Sequence, residues 1–231
     1  MLSRDTTLRL RPDGSEIERS IATLFEKDHV VEVRIPKTWA GVVAGYFDDF
    51  AKMAAAIQEA DDKYRPAGIY YTLNPVNPAL LGRAYNRLKE RTDLTTADNN
   101  IVRRRWLPVD LDPSRPSGIS SSEEEHEAAL SRARLIATDM QPEWGEPIIA
   151  DSGNGGHLLY RIDLPNDQQS LTYVSAALGE LDRRYSDDAV RVDVTCANAA
   201  RIWKCYGSIA RKGDNIPSRL HRRSCLLEVA Q

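Results

Sequence analysis

Two aspartates separated by a single residue, Asp110 and Asp112, lie in the segment Trp106–Pro113 (WLPVDLDP). Successive side chains of a strand point to opposite faces, so these two carboxylates share one face while Leu107, Val109 and Leu111 face the core. Neighbouring carboxylates repel each other unless a cation lies between them, and Mg²⁺ and Mn²⁺ take carboxylate and phosphate oxygens as ligands. The pattern therefore predicts a divalent-metal site, although D-x-D also occurs by chance or as a loop cap.

A glycine-rich segment, Asp151–His157 (DSGNGGH), lies between two predicted strands. Asn-Gly and Gly-Gly are favoured in hairpin turns, which accounts for the glycines but not for Ser152 and His157. Consecutive backbone N–H groups in such a turn can bind an anion, and a hydroxyl and an imidazole beside them would add donors to a triphosphate. We therefore expect a nucleotide to contact Ser152, Gly153, Asn154, Gly155 and His157.

A third carboxylate, Asp193, lies in the segment Val190–Val194 (VRVDV), whose valines alternate inward and leave the aspartate on the polar side. An isolated strand aspartate is usually a surface residue, but beside the D-x-D pair it would complete a site for two metal ions. The chain that follows alternates basic and apolar residues, which is typical of an ordinary half-buried strand or of a strand that faces phosphates. On the second interpretation Arg201, Lys204 and Lys212 bind the nucleotide.

Positive charge is concentrated near the end of the sequence, although the formal net charge of the chain is −3. Between residues 201 and 223 there are seven lysines and arginines against one acid, Asp214. A charge run is usually a solvated face, but a segregated one can follow a phosphate backbone. On that basis we predict that DNA is contacted by Arg211, Arg219, Arg222 and Arg223.

The composition is that of an ordinary globular protein, with 42% hydrophobic and 28% charged residues. No apolar run approaches the roughly 18 residues of a membrane span, and the polar start, residues 1–14, has no signal-peptide core. We therefore expect a cytoplasmic protein. The three cysteines form no C-x-x-C pair, which favours free thiols over a disulfide framework or a zinc site.

The first hundred residues alternate helix and strand. Ser15 and Glu18 form a candidate capping box for a first helix, and Asn77 with Pro78 would begin another that continues through Leu88. Between them the pattern predicts a strand at 30–35, a helix after Gly45 and a strand at 68–73. The polar stretch 92–100 is the best candidate for a module boundary.

The second half repeats the alternation as βαββαβ with a terminal addition, which is the ferredoxin-like or RRM-like order. Ser122 and Glu125 form a capping box at the start of its first helix. The other predicted elements are strands at 102–112, 147–151, 158–164, 190–194 and 201–206, and a helix at 167–185. The sequence thus predicts an α+β protein with an N-terminal α/β module (1–100) and an RRM-like module (101–231).

The order of these motifs is more specific than any one of them. A D-x-D pair, then S-G-N-G-G-H, then an aspartate followed by a basic strand and a G-S…R-K-G turn, resembles the three motifs of the archaeo-eukaryotic primase superfamily. The likeness is strongest over about residues 100–215 and closest to the primase–polymerases of phages, plasmids and other mobile elements. It implies an N-terminal α/β module packed on an RRM-like catalytic module, with the active site in the cleft between them.

The resemblance also implies roles for the site residues. Asp110, Asp112 and Asp193 would hold two Mg²⁺ or Mn²⁺ ions, and together with His157 they would be the catalytic residues. Ser152 and His157 would contact the phosphates of the incoming nucleotide. Because four residues separate Ser152 from His157, Asn154 is an alternative to the serine as the phosphate contact.

The function implied is DNA-templated nucleotidyl transfer from NTP or dNTP substrates, as a DNA primase, a DNA polymerase or both. The expected partners are a single-stranded DNA template and its primer, with a helicase domain or protein as a further partner of what we expect to be a catalytic piece of a longer chain. The main alternative is a non-catalytic replication initiator that binds DNA through the basic segment. Such a protein would not need three carboxylates at one cleft.

Overall fold

The computed structural model describes residues 10–229, so residues 1–9 of the polar start lie outside the described residues. The fold is mixed α+β with antiparallel sheets. Its helices are α1 (Gly14–Leu24), α2 (Phe50–Tyr64), α3 (Glu123–Trp144) and α4 (Gln168–Tyr185). Its strands are β1 (Val31–Thr38), β2 (Gly41–Phe47), β3 (Tyr70–Thr72), β4 (Arg103–Pro113), β5 (Ile148–Asp151), β6 (Gly156–Pro165), β7 (Val190–Val192), β8 (Ile202–Lys204), β9 (Ile209–Ala210), β10 (Arg222–Arg223) and β11 (Cys225–Glu228). Among these helices none is both long and apolar enough to cross a membrane.

The first sheet has the strand order β2-β1-β3-β8, and every neighbouring pair is antiparallel. The hairpin of β1 and β2 was not predicted, because Gly45 and Phe47 were assigned to the start of a helix. The helix begins later, at Phe50, where the Asp49 carboxylate caps it by accepting from the Lys52 N–H. Gly45 lies within β2. A Cβ there would lie 2.0 Å from the Arg87 carbonyl oxygen, so only glycine fits.

The second sheet has the strand order β11-β5-β6-β4-β7, again antiparallel throughout. Helix α3 packs against β4 and β6, and α4 packs against β7. The predicted capping box at the start of α3 is confirmed, since the Ser122 hydroxyl accepts from the Glu125 N–H and the Glu125 carboxylate accepts from the Ser122 N–H. In this sheet β4, which carries Asp110 and Asp112, lies beside β6, which carries His157.

The first sheet is built from both halves of the chain, and one large buried cluster extends through both sheets. Strand β8 comes from the second half of the chain but pairs with β3, and α1 packs against β11 at the other end of the sequence. A single buried cluster runs from Ile17 in α1 through both sheets to Leu226 in β11. The predicted boundary near residue 100 therefore separates the chain halves but not the two sheets.

Two predicted helix limits differ from the structure. Helix α1 is capped by Asp13 instead of Ser15, because the Asp13 carboxylate accepts from the Glu16 N–H. Asn77 caps as expected, but only a 3₁₀ turn follows, Pro78–Arg83. The chain beyond it is held at the edge of β2, where Ala44 and Lys89 exchange backbone hydrogen bonds, so edge pairing outweighs helix propensity there.

Candidate functional site

A cleft of about 260 Å³ opens between the two sheets, with β8 of the first sheet on one side and β4 and β6 of the second on the other. The structure brings together most of the residues predicted from the three motifs. Those that line the cleft are Asp110, Asp112, Ser152, Asn154, His157, Arg201, Lys204 and Lys212.

The carboxylates of Asp110 and Asp193 lie together with a residue that was not predicted, Cys196. One carboxylate oxygen of each aspartate and the Cys196 Sγ atom all lie within 4.8 Å of one another. The Asp193 N–H donates to the Asp110 carbonyl oxygen at 2.8 Å, which fixes the two segments side by side. Asp193 caps the 3₁₀ turn Val194–Ala197, and side chains three residues apart on such a turn lie on the same side. This cluster can hold a metal ion.

Asp112, the third predicted ligand, lies outside that cluster, with its side chain half exposed. Burial acts to raise the pKa of Asp110, but the hydrogen bond from His157 and the positive charge near it, including Lys212 and Arg201, outweigh the burial and lower that pKa. For Asp112, burial and then the charge of Asp110 raise the pKa. The two carboxylates at this end of β4 therefore repel each other, and a cation between them would relieve that repulsion.

Arg201 supplies positive charge to the carboxylate cluster. Its Nη2 atom donates to Asp193 Oδ2 at 2.5 Å and to the Thr195 hydroxyl at 2.9 Å. Burial acts to lower the pKa of Arg201, but Cys196, Asp193 and their neighbours outweigh it, so the guanidinium is firmly charged. A metal ion at Asp193 and the Arg201 guanidinium would therefore compete for the same carboxylate oxygen.

His157 is 4% exposed and is the cross-strand partner of Asp110. Its Nε2 atom lies 3.4 Å from Asp110 Oδ1, and its Nδ1 atom lies 2.9 Å from the Tyr206 hydroxyl oxygen. The Trp203 indole N–H also donates to that hydroxyl oxygen, at 2.8 Å, and the indole stacks on the imidazole with ring centres 4.1 Å apart. The His157 ring is thus clamped on one edge and one face.

These contacts fix the tautomer of His157. Burial raises the pKa of Tyr206 far above its ordinary value, so its hydroxyl keeps its proton. The oxygen already accepts the Trp203 N–H, and the only acceptor for its own proton among these contacts is His157 Nδ1. The neutral imidazole therefore carries its proton on Nε2, which faces Asp110 and the cleft.

Lys204 forms the opposite wall of the cleft and is 6% exposed. Its ammonium group donates to the Ile209 carbonyl oxygen at 2.8 Å and lies 5.7 Å from the centre of the Tyr70 ring. Burial lowers the pKa of Lys204 to about 7. An anionic group in the cleft would favour the charged form of Lys204, because its negative charge replaces the stabilisation that the ammonium group loses when water is excluded.

The glycine-rich turn has the predicted position between β5 and β6 but not the predicted free donors. The Gly153 N–H donates to the Asp151 carboxylate, and those of Asn154 and Gly155 donate to the Ser152 hydroxyl. The interpretation of this turn as an open anion cradle is therefore not supported, because its N–H groups are satisfied within the turn. Phosphate contacts would have to come from side chains at its rim.

The turn is instead held rigid from outside. Asn154 is 4% exposed, and its side-chain oxygen accepts from the Ser121 N–H at 2.9 Å. A Cβ on Gly153 would lie 2.7 Å from the Ala210 side chain, and one on Gly155 would lie 2.3 Å from the Leu111 carbonyl oxygen. Close packing against β9 and β4 therefore accounts for both glycines, and Asn154 has a structural role.

The four arginines predicted to bind DNA all have partners within the chain. Arg211 forms a two-point ion pair with Asp61, and Arg219 forms one with Glu125. Arg222 pairs with Glu123, and Arg223 donates to the Arg11 carbonyl oxygen. The prediction of a DNA-binding surface from these residues is not supported, because their guanidinium groups already neutralise or cap other parts of the fold.

Four residues of the site were missed, namely Tyr70, Cys196, Trp203 and Tyr206. Only Cys196 carried a usable signal, since the spacing D-x-x-C places it three residues after a suspected metal ligand. The other three are aromatic residues in or beside short strands, a pattern that equally describes core packing. The contact of Tyr70 with Lys204 depends on the pairing of β3 with β8, and those of Trp203 and Tyr206 with His157 depend on the packing of the two sheets.

No protein-family model matches the chain, and no curated protein matches its sequence. The interpretation of the site therefore depends on its own geometry. That geometry consists of a cleft between two sheets that is lined by Asp110, a clamped histidine and a buried lysine, with the Asp193 carboxylate and the Cys196 thiol beside Asp110.

Proposed function

We propose that the chain catalyses DNA-templated nucleotidyl transfer, as a DNA primase, a DNA polymerase or both. The observation that carries the proposal is the convergence of Asp110, His157 and Lys204 on one cleft from three different strands, with the Asp193 carboxylate beside that of Asp110. Acidic metal ligands opposite phosphate-binding cations are the elements that phosphoryl transfer requires.

The topology supports the same class. The chain order β4-α3-β5-β6-α4-β7 with the sheet order β5-β6-β4-β7 is the one expected for an RRM-like module. The cleft lies where this module meets the first sheet. We therefore propose membership of the archaeo-eukaryotic primase superfamily, of the primase–polymerase type.

In this proposal Asp110 and Asp193, assisted by Asp112, hold two Mg²⁺ or Mn²⁺ ions. Ions held there would supply Lewis-acid stabilisation of the 3′-hydroxyl, the α-phosphate and the departing pyrophosphate. The Nε2–H of His157 and the ammonium group of Lys204 donate to phosphate oxygens from opposite walls. Arg201 and Lys212 add positive charge, whereas the Ser152 hydroxyl already donates to the Gly155 carbonyl oxygen within the turn.

The replication-initiator alternative receives less support. It relied on the basic segment at residues 201–223, and the four arginines assigned to DNA there are engaged in ion pairs or with carbonyl groups. A binding protein would also have no use for carboxylates that face a histidine and a lysine across a cleft.

The test is strand synthesis on single-stranded DNA with Mn²⁺ or Mg²⁺ and labelled NTPs or dNTPs, with and without an annealed primer. Asp110→Ala should abolish synthesis while template binding survives, because it removes a metal ligand. Asp62→Ala, an exposed helix aspartate, is the matched control and should act as wild type. Substantial synthesis by Asp110→Ala would overturn the assignment, and DNA binding without any product would favour the initiator.

A further inference from the structure

A second cavity of about 300 Å³ lies beside the cleft, and we call it the side pocket. It is formed by the segment 112–119 after β4, by Arg191 on β7 and by Lys212 after β9. Asp112 and Lys212 line both cavities, so the side pocket begins where the carboxylate site ends.

The wall of the side pocket is built in advance of any ligand. The Arg115 side chain is only 8% exposed, and it braces the loop by donating to the carbonyl oxygens of Pro113 and Ile119. The loop also packs on the following turn, since the Ser120 hydroxyl donates to the Lys212 carbonyl oxygen. A binding surface that is already ordered loses little entropy when it takes a ligand.

The side pocket is strongly positive. It contains three cations, Arg115, Arg191 and Lys212, against one carboxylate, Asp112. Arg191 and Lys212 form no ion pair with any residue of the described range 10–229, in contrast to the arginines that follow them in the sequence. An excess of cations over carboxylates around a cavity of this size favours a compact polyanion.

Arg191 lies on the same face of the second sheet as the carboxylates of the cleft. Arg191 is the cross-strand partner of Asp112, as His157 is of Asp110, so all four side chains lie on one face of the second sheet. A nucleotide whose 3′-hydroxyl reaches the carboxylates, with its 5′ end directed away from the incoming nucleotide, would place its phosphates near Arg191.

We propose that the side pocket holds the 5′-polyphosphate of the nucleotide that starts a new strand. The inference rests on the proposed nucleotidyl transfer and adds that the chain starts strands without a primer. In that first step the 3′-hydroxyl oxygen of the starting nucleotide forms a bond to the α-phosphorus of the incoming nucleotide. The bond from that phosphorus to pyrophosphate breaks, and the hydroxyl proton passes to water.

A primer would present a different arrangement of phosphates to the side pocket. Its backbone carries one negative charge per phosphate along an extended strand, whereas a starting nucleotide carries a compact triphosphate. Base pairing to the template also holds a primer, so its binding depends less on Arg191. Loss of Arg191 should therefore impair starting far more than extension.

The experiment measures dinucleotide formation on single-stranded DNA with a starting NTP, the matching 5′-monophosphate or the nucleoside, in parallel with extension of an annealed primer. The wild-type protein should prefer the NTP. Arg191→Ala should raise KM for the starting NTP about tenfold or more, the loss of one charge-assisted contact, and remove the preference for the NTP. Primer extension should change little.

Arg183→Ala, an exposed arginine on α4, is the matched control and should resemble wild type in both assays. Primer extension combined with a starting reaction that ignores the 5′-phosphates, or that Arg191→Ala leaves unchanged, would overturn the side-pocket assignment alone. Extension with no strand starting by the wild-type protein would do the same. A protein that makes no product with or without a primer would overturn the proposed function as well.

Discussion

The Nδ1 atom of His157 lies 2.9 Å from the hydroxyl oxygen of Tyr206, on the side of the imidazole that faces away from the cleft. Trp203 donates to the same oxygen, so the tyrosine's own proton has no acceptor among these contacts other than His157 Nδ1. This relationship leaves the His157 Nε2–H as the donor for a ligand in the cleft. Tyr206 therefore positions His157 but does not itself line the cleft.

Replacing Tyr206 with phenylalanine should remove this control. The Trp203 N–H and His157 Nδ1 would both lose their partner, so we expect a loss of about 1–3 kcal/mol in the free energy of unfolding. Primer extension should fall about tenfold to a hundredfold, because the imidazole is no longer held in one tautomer and orientation. Urea denaturation measures the first effect and single-turnover extension the second.

Tyr160→Phe is the matched control for this substitution. The Tyr160 hydroxyl is buried and has no hydrogen-bond partner among the described residues, so its removal should leave both stability and activity near wild type. Nitrogen NMR of the His157 ring reports the tautomer directly. A single Nε2-protonated form that persists in Tyr206→Phe would contradict the proposed positioning.

Lys204 should give the stability of the protein a distinct pH dependence. Its pKa is about 7 in the folded protein against 10.5 in an ordinary lysine, so between these values the unfolded chain binds a proton that the folded chain does not. Stability contributed by this group should therefore rise with pH from about 7 to about 10.5, and below pH about 7 the cost of burying the charge is constant.

Lys204→Met should remove this dependence. The variant should gain most over wild type at pH about 6, and its advantage should shrink as the pH rises through the window above 7. Urea denaturation across that range gives the two curves. Curves that stay parallel would show that Lys204 is not the group responsible, and Lys27→Met, an exposed lysine, serves as the control substitution.

The regular elements of the second half could be predicted because each has a local signal. Alternation of apolar residues located β4, and the Ser122 and Glu125 pair located the start of α3. The predicted face of β4 also put Asp110 and Asp112 where the cleft opens. The β1–β2 hairpin was missed because its turn, Trp39-Ala40, has none of the dipeptides that mark tight hairpins.

The chemistry of the site could be predicted only in part, because many side chains contact partners that are distant in the sequence. The arginines at 211 and 219 looked free in the sequence, but Asp61 and Glu125, far earlier in the chain, neutralise them. In the glycine-rich turn the Ser152 side chain competes with any ligand for the backbone donors, which is the usual behaviour of serine in turns. Residue type alone does not show which partner a donor finds.

Cys196 should give the metal site an affinity for thiophilic ions. A thiolate beside the Asp110 and Asp193 carboxylates suits Co²⁺, Zn²⁺ or Cd²⁺ better than Mg²⁺, which prefers oxygen ligands. Titration with Co²⁺ or Cd²⁺ should produce a thiolate-to-metal charge-transfer absorption and release a proton as the thiol ionises. Cys196→Ser should abolish that absorption.

Cys225→Ser is the control for the metal titration, because Cys225 lies on β11, outside the carboxylate cluster. It should leave the charge-transfer absorption unchanged. An absorption that survives in Cys196→Ser but disappears in Cys225→Ser would place the soft-metal site elsewhere. With Mg²⁺ as the only ion, Cys196→Ser should retain most of its extension activity, since the carboxylates remain.

Substitution of Arg211 distinguishes a structural role of the basic segment, residues 201–223, from a DNA-binding role. Its ion pair with Asp61 is buried, with the Asp61 side chain 3% and the Arg211 side chain 11% exposed. Arg211→Ala should lower the free energy of unfolding by about 3–5 kcal/mol, because it leaves a carboxylate buried without its partner. The double variant Arg211→Met with Asp61→Leu should recover much of that loss, since it removes both charges. DNA affinity per folded molecule should stay at the wild-type value in either variant, whereas a normally stable Arg211→Ala that binds DNA several-fold more weakly would restore the DNA-binding role.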